Sequence, residues 1–551
     1  MSLKQTVSKT LHSLRVGFIA LTVFQFSLGG PLATSLQANE KDHTRTPIKH
    51  VIVIIGENRT FDHVFATYVP KSEDSVSNLL SKGIIKADGT PGPHFSKAAQ
   101  FQAVAPFKKE FFISLDKSEK TPYQILPQPT LNFSPIATIF PPGTPANFLQ
   151  AIEPSLDPGD VNLLTTGATT GFPQTFVLPD PDTRVQNFNV LPNGPFPLKG
   201  NALPYDSYTG DTTHRLFEMW QQSDCNIKNA TRHNPSGCLN DLYPFVITTY
   251  TNIPDPAIRP IRDYLESLPY APDSKCKPGH FYMINNDSPG FLPDGTVDTA
   301  GIANGGSIPP TNVRTIGEAL NEEGISWAYY GGAYNAAVAF QHNPQSKDPF
   351  VLIGQAYCNI CNFESYATAI MGDPAQRDAH IKDATDFFAA IDSETLPAVS
   401  FVKPDGLIDG HPASSKLDLF ESMVKKTVEH LNARPDLFAE TALIVTFDEG
   451  GGYYDSGYIQ PLDFFGDGPR IPLIVVSPFS RGGHISHTYT DHVSILKFIE
   501  RNWNLKPLTQ RSRDNFPNPI VDDDDPYVPL NSPALGDLFD LFDFGRHGGN
   551  N

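Results

Sequence analysis

His50-Val51-Ile52-Val53-Ile54-Ile55-Gly56-Glu57-Asn58-Arg59-Thr60-Phe61-Asp62 passes from an unbroken apolar run straight into oxygen-bearing side chains. A second stretch ends the same way: Thr441-Ala442-Leu443-Ile444-Val445-Thr446-Phe447-Asp448-Glu449-Gly450-Gly451-Gly452. β-Branched runs bounded by turn residues read as strands buried on both faces, as in parallel sheets. Ligands of open α/β sheets collect in the crevice beyond the carboxyl ends of such strands. Glu57, Asn58, Asp448 and Glu449 are therefore expected to meet in one crevice. Carboxylates and an amide oxygen make a hard, all-oxygen set suited to one divalent metal ion. Taken singly, the first pair reads as a helix-capping turn and the second as a solvated strand end. Two such ends in one chain, the second followed by three glycines that let backbone approach a ligand, favour a metal site.

Outward from these runs, strands and helices alternate. A strand, a ligand loop and a helix start occupy 49–68, with Thr60 or Asn58 as cap and Asp62 in the first turn. Helices are expected at 312–323, 373–391, 415–432 and 490–503, and strands at 325–330, 398–402 and 471–477. A further helix is expected to start near Asp211 and carry His214. This alternation predicts an α/β fold, a three-layer α/β/α sandwich around a mostly parallel central sheet. Residues 74–206 are rich in Pro, Gly, Phe and Thr with weak periodicity, and read as a long, loop-rich insertion forming one wall of the cleft.

The 551 residues are 39% hydrophobic and 18% charged, enough for a sizeable core, and 51 Pro with 41 Gly indicate long, turn-rich loops. A net charge of −19 argues against a nucleic-acid partner, which needs a basic stripe to replace phosphate counterions. It also gives no attraction to anionic membranes. Lys4, Lys9 and Arg15 precede an apolar segment at 16–28, and small residues follow at Ala33, Ser35 and Ala38. This reads as a signal peptide over 1–38, and hence as a secreted or periplasmic protein with no transmembrane segment in its mature form. Five cysteines suit an oxidising compartment. Cys225 and Cys238 bracket a short loop, Cys358-Asn359-Ile360-Cys361 reads as a local disulfide, and Cys276 is left over.

The block 56–62, the block 446–452 and the segment Thr490-Asp491-His492-Val493-Ser494-Ile495-Leu496-Lys497-Phe498-Ile499-Glu500 resemble the bacterial phospholipase C/acid phosphatase phosphoesterase family. His214-Arg215-Leu216-Phe217-Glu218-Met219-Trp220 and the loop from Pro404-Asp405-Gly406 through Asp409-Gly410-His411-Pro412 add to the resemblance, which spans roughly residues 48–540. It implies an alkaline-phosphatase-like fold and hydrolysis of phosphate mono- or diesters, with a phospholipid or a soluble ester as partner. Carried over residue by residue, it implies Glu57, Asn58, Asp448 and Glu449 as metal ligands and His214 and His411 as catalytic histidines. His484, His487 and His492 lie nearby in sequence as supporting groups. One departure stands out. The family places a Ser or Thr nucleophile on a strand-to-helix turn between the blocks matching His214 and His411, and no matching stretch occurs here. Thr249, Thr251 and Ser288 are the available hydroxyls, none in a strand–turn–helix context. The alternative reading is therefore a non-catalytic relative that binds metal and phosphate.

Overall fold

The computed structural model describes residues 44–71, 74–95, 101–103, 120–122, 140–165, 288–303, 307, 310–312, 314–411, 414–450, 455–458, 469–509, 512–531 and 534–545. Its centre is a six-stranded sheet built from β1 (His50–Gly56), β2 (Trp327–Gly331), β3 (Ile381–Asp383), β4 (Val399–Lys403), β5 (Thr441–Phe447) and β6 (Leu473–Val476). The spatial order is β3-β2-β4-β1-β5-β6. All neighbours are parallel except β5 and β6, which run antiparallel. The result is an α/β fold with a largely parallel, mixed sheet flanked by helices.

The apolar runs His50–Gly56 and Thr441–Phe447 become the middle of this sheet. β1 lies between β4 and β5, with Gly56 level with Phe447 and Ile54 level with Val402. Their carboxyl ends thus fall along one edge. Because side chains alternate across a strand, the two faces carry separate cores. On one face Ile52, Ile54, Val402, Leu443 and Val445 pack with Leu149, Phe387, Leu419, Phe420 and Met423. On the other, Val51, Val53, Phe401 and Ile444 pack with Ile316, Leu320, Ile495, Phe498 and Ile499. Each such side chain contributes roughly 1.5–3 kcal/mol on burial.

The helices bear their signals locally. Thr60 caps α1 (Phe61–Phe65), its Oγ1 accepting from the His63 N–H, and Asp62 sits in the first turn. Asn58 instead adopts the left-handed conformation at φ 58°. The helix α2 (Ala146–Ile152) lies in the loop-rich stretch and faces the first core through Leu149 and Ile152. Thr315 and Glu318 form a capping box on α3 (Ile316–Glu322). The helix expected at 373–391 is in fact divided: α4 (Pro374–His380) ends at β3, and α5 (Ala384–Asp392) restarts under an Asp383–Asp386 capping box. Ile381 to Asp383 are drawn out of the helix by pairing with β2, a tertiary gain that helical periodicity does not reveal. The last two principal helices are α6 (Leu417–Asn432) and α7 (Val493–Trp503). Among the described residues no helix is long and apolar enough to cross a membrane.

Candidate metal centre at the carboxyl edge of the sheet

Glu57 and Asn58 leave β1 beside Asp448 and Glu449, which leave β5. The Asp448 N–H donates to the Gly56 carbonyl (3.0 Å), so the two strand ends are tied at the point where the acids begin. Asp448 Oδ1 then accepts from the N–H groups of Asn58 (2.9 Å) and Glu449 (2.7 Å). Its carboxyl meets that of Glu57 in a hydrogen bond. Three of the four expected ligands are thereby brought together by adjacent strands. Glu449 follows at the same strand end. Among the described residues, however, the group of His, Cys and carboxylate ligand atoms that converges is Glu57, Cys358 and Cys361, and neither Asp448 nor Glu449 is part of it.

The third contributor was not anticipated. β4 ends on Lys403, whose Nζ lies 2.8 Å from Glu57 Oε1 and 3.7 Å from Asp409 Oδ2. The loop after β4 returns to β1, where the Glu57 N–H donates to the Asp409 carbonyl (2.8 Å). Arg59, wholly buried, donates from Nε to the Gly410 carbonyl (2.8 Å). His411 N–H in turn donates to Asp409 Oδ1 (2.9 Å). From the loop-rich stretch, Glu153 reaches the same loop through a carboxyl hydrogen bond with Asp405. Lys403, like Glu57 and Asp448, is a polar residue at the end of a buried apolar strand, and it is the acids brought in by the neighbouring strand and loop that give it a role.

The electrostatics follow from crowding acids in a dry place. Burial, and then the neighbouring Glu57 charge, push the Asp448 carboxyl well above the carboxylate range. Burial also raises Glu57, but Lys403, the hydrogen bond with Asp448 and His411 outweigh it, leaving Glu57 lowered and ionised. Asp409 is pushed up to about 7, by burial first, with Lys403 opposing and Glu57 adding to the rise. His411 is held below its ordinary range by burial; Glu57 opposes this, while Lys403 and Arg59 add to it. The imidazole is therefore neutral at pH 7.

The residues fit a cation on one structural ground in particular. Asn58 Oδ1 is buried and has no hydrogen-bond partner among the described residues. A buried amide oxygen left so costs about 1–3 kcal/mol, and the backbone N–H of the same residue is bonded to Asp448, whose carboxyl interacts with that of Glu57. A hard divalent ion among Asn58, Glu57 and Asp448 would satisfy all three. Gly450 also belongs to the arrangement: a Cβ there would meet Pro469 Cγ at 2.6 Å and Thr60 Cγ2 at 2.8 Å. Gly451 and Gly452 lie outside the described residues.

Of the histidines, His411 is in the loop beside Glu57, whereas His214 lies outside the described residues, as do Thr249 and Thr251. Ser288 forms an isolated backbone bridge with Ser307. His492 donates from Nε2 to the Phe447 carbonyl (2.9 Å), directly behind Asp448. His484 and His487 instead contact Asp74 (3.2 Å) and Ser75 (2.9 Å). Cys358 and Cys361 are joined in a disulfide, as their spacing suggested. Cys225, Cys238 and Cys276 lie outside the described residues.

Comparison with known proteins places this edge in a family context. The model of the phosphoesterase family matches residues 271–506, which include β4, β5, Lys403, His411, Asp448 and Glu449. Residues 271–506 are thus similar to the phosphoesterase family, and the chain is similar at low identity to bacterial phospholipases C. It is 26% identical over 315 residues to a non-hemolytic phospholipase C of Burkholderia pseudomallei, covering 50% of this chain and 41% of that protein. It is 27% identical over 312 residues to the hemolytic phospholipase C of Pseudomonas aeruginosa, covering 52% and 38%. A probable acid phosphatase of Kluyveromyces lactis is 27% identical over 217 residues, covering 37% and 45%. The chain thus spans about two fifths of the length of the relatives it matches. β1, with Glu57 and Asn58, precedes the span of the phosphoesterase model, yet it pairs residue for residue with β5 inside it.

Proposed function

We propose that the chain is a secreted, metal-dependent phosphoesterase of phospholipase C or acid phosphatase type, on an alkaline-phosphatase-like three-layer fold. The observation that carries this reading is the junction of Glu57 and Asn58 with Asp448 at adjacent strand ends, with Asn58 Oδ1 buried and unpartnered among the described residues. Glu57, Asn58 and Asp448 would hold one divalent cation, with Glu449 joining from the same strand end. Such an ion supplies Lewis-acid polarisation of a phosphoryl oxygen and lowers the pKa of a bound hydroxyl. The chain's own groups do the rest. Lys403 brings a fixed positive charge to the edge where negative charge grows on the phosphoryl oxygens. His411, neutral at pH 7, gains its proton on the acid side and there protonates the departing oxygen. His214 is proposed as the second such group. The N-terminal segment is proposed as the export signal.

A second reading, a non-catalytic binder of metal and phosphate, is favoured by one sequence observation. The path from Phe245 to Pro260 offers Thr249 and Thr251 but no strand-to-helix turn to present them. One experiment separates the two. Purified chain is incubated with chromogenic phosphate mono- and diesters, with chelator and then with Mn2+, Mg2+, Ca2+ or Zn2+ restored. Turnover that chelation abolishes and metal restores is the expected result. Metal and phosphate binding by calorimetry with no turnover under any ion would establish the second reading.

A further inference from the structure

Cys361 Sγ lies 3.1 Å from Glu57 Oε1, and the ligand atoms of Glu57, Cys358 and Cys361 all fall within 4.8 Å of one another. A disulfide sulfur has no proton to give a carboxylate, so this contact is not a hydrogen bond while the bridge is closed. The turn carrying the two cysteines is held firmly. Asn359 Nδ2 donates to the Phe291 carbonyl (2.9 Å), Ser365 Oγ donates to Asn359 Oδ1 (2.9 Å), and Asn362 Nδ2 donates to the Tyr357 hydroxyl (3.0 Å). Both cysteines are half-buried rather than sealed, so a small reductant and an ion have access.

We propose that Glu57, Cys358 and Cys361 form a second cation site, specific for a thiophilic divalent ion of the Zn2+ class and open only when the disulfide is reduced. The gating step is thiol–disulfide exchange with a dithiol. The dithiol is oxidised to its cyclic disulfide, and its two electrons and two protons convert the Cys358–Cys361 bridge to two thiols. Ion binding then releases both thiol protons to solvent and forms two metal–sulfur bonds and one metal–oxygen bond. Cys-x2-Cys is the spacing with which zinc sites take paired thiolates, and Zn–S near 2.3 Å with Zn–O near 2.1 Å requires ligand atoms roughly 3.5–4 Å apart. The Cα atoms of the pair, 5.2 Å apart, need little movement to provide this. Two thiolates and one carboxylate bring three negative charges, which the divalent ion and Lys403 match. Three protein ligands leave the fourth position to water.

The consequence rests on the hydrolytic reading above, because Glu57 serves both sites and cannot serve both fully at once. A reduced chain that has taken a thiophilic ion is therefore switched off, and oxidation of the pair returns Glu57 to the hard-cation centre.

The full chain, treated with dithiothreitol and titrated with Co2+, tests the site without reference to turnover. One Co2+ per chain should bind with a thiolate-to-cobalt charge-transfer band in the near ultraviolet. The band should be absent from the oxidised chain and from C358S/C361S, and should persist in the reduced C225S/C238S/C276S variant. Circular dichroism on each sample establishes that the reduced chain is folded. A folded, reduced chain without the band, or a band surviving C358S/C361S, overturns the site. The shared use of Glu57 has its own arm: Zn2+ added to the reduced, Mn2+-loaded chain should lower ester hydrolysis at least about tenfold, as expected for an ion that binds thiolates more tightly than Mn2+ does. Unchanged hydrolysis overturns the competition, and a chain that hydrolyses no ester under any condition leaves the cobalt result standing by itself.

Discussion

Lys403 and Asn58 show at the scale of single residues how the centre is balanced. Lys403 is almost wholly buried, and its ammonium is the counter-charge to Glu57 and Asp409. Removing one partner of such a buried set leaves an uncompensated charge, at a cost of about 3–5 kcal/mol. Lys403→Met should therefore lower the stability of the metal-free chain by about that amount, with Mn2+ recovering much of the loss because it replaces the missing positive charge. Denaturant melts with and without Mn2+ check this, and equal losses in both would be against it. Asn58 has two duties that substitution can divide. Its φ of 58° strains a residue bearing a Cβ, by roughly 1–2 kcal/mol for most types, and Asn bears that conformation better than most. Its amide oxygen is the one that the proposed cation would take up. Asn58→Gly should keep the melting temperature and weaken Mn2+ binding, whereas Asn58→Ala should lose both. Thermal melts set beside binding isotherms distinguish these outcomes.

The elements converge on the site because the parallel pairing of β1 with β4 and β5 aligns their carboxyl ends. Gly56, the last residue of β1, sits where a Cβ would meet Phe447 Cε1 at 2.7 Å and Phe420 Cζ at 2.9 Å. Gly56→Ala should therefore destabilise the fold by about 1–3 kcal/mol through overpacking, read by urea denaturation; an unchanged midpoint would show that the two rings give way. β1 and β5 were legible in the sequence as unbroken runs, as were the Thr60 cap and the residues of α6. Legible too was the meeting of Glu57 and Asn58 with Asp448, since open α/β sheets leave their ligands at strand ends. Ile381 to Asp383 were not, because three residues set no period and only their pairing with β2 makes them a strand. The antiparallel direction of β6 was equally hidden, being a matter of connection rather than composition. Lys403 was overlooked because a lysine after an apolar strand reads as a solvated end until the acids of neighbouring strands surround it. The place of Cys361 against Glu57 joins residues 304 apart and left no local trace.

The molecule as a whole carries a net charge of −19, and some of its acids are buried. Glu364 is one, far in sequence from the centre and packed against Thr315 and the Gly317 backbone; burial, with Glu318 adding to it, pushes its carboxyl up to about 8. The folded state therefore keeps this proton to about pH 8, while the unfolded chain gives it up near pH 4.5. Between those values the folded state binds the extra proton, so stability falls as pH rises and levels off above about 8. Glu364→Gln should remove that slope, so that the stability of the variant relative to the natural chain grows from pH 5 to pH 8; parallel curves would contradict it. The central claim is that adjacent strand ends, carrying acids from opposite ends of a long chain, hold one hard cation. Calorimetric titration of the oxidised chain with Mn2+ tests it most directly. The account predicts one site per chain, lost in both Glu57→Gln and Asp448→Asn. Binding that is absent from the natural chain, or undiminished in either variant, would contradict it.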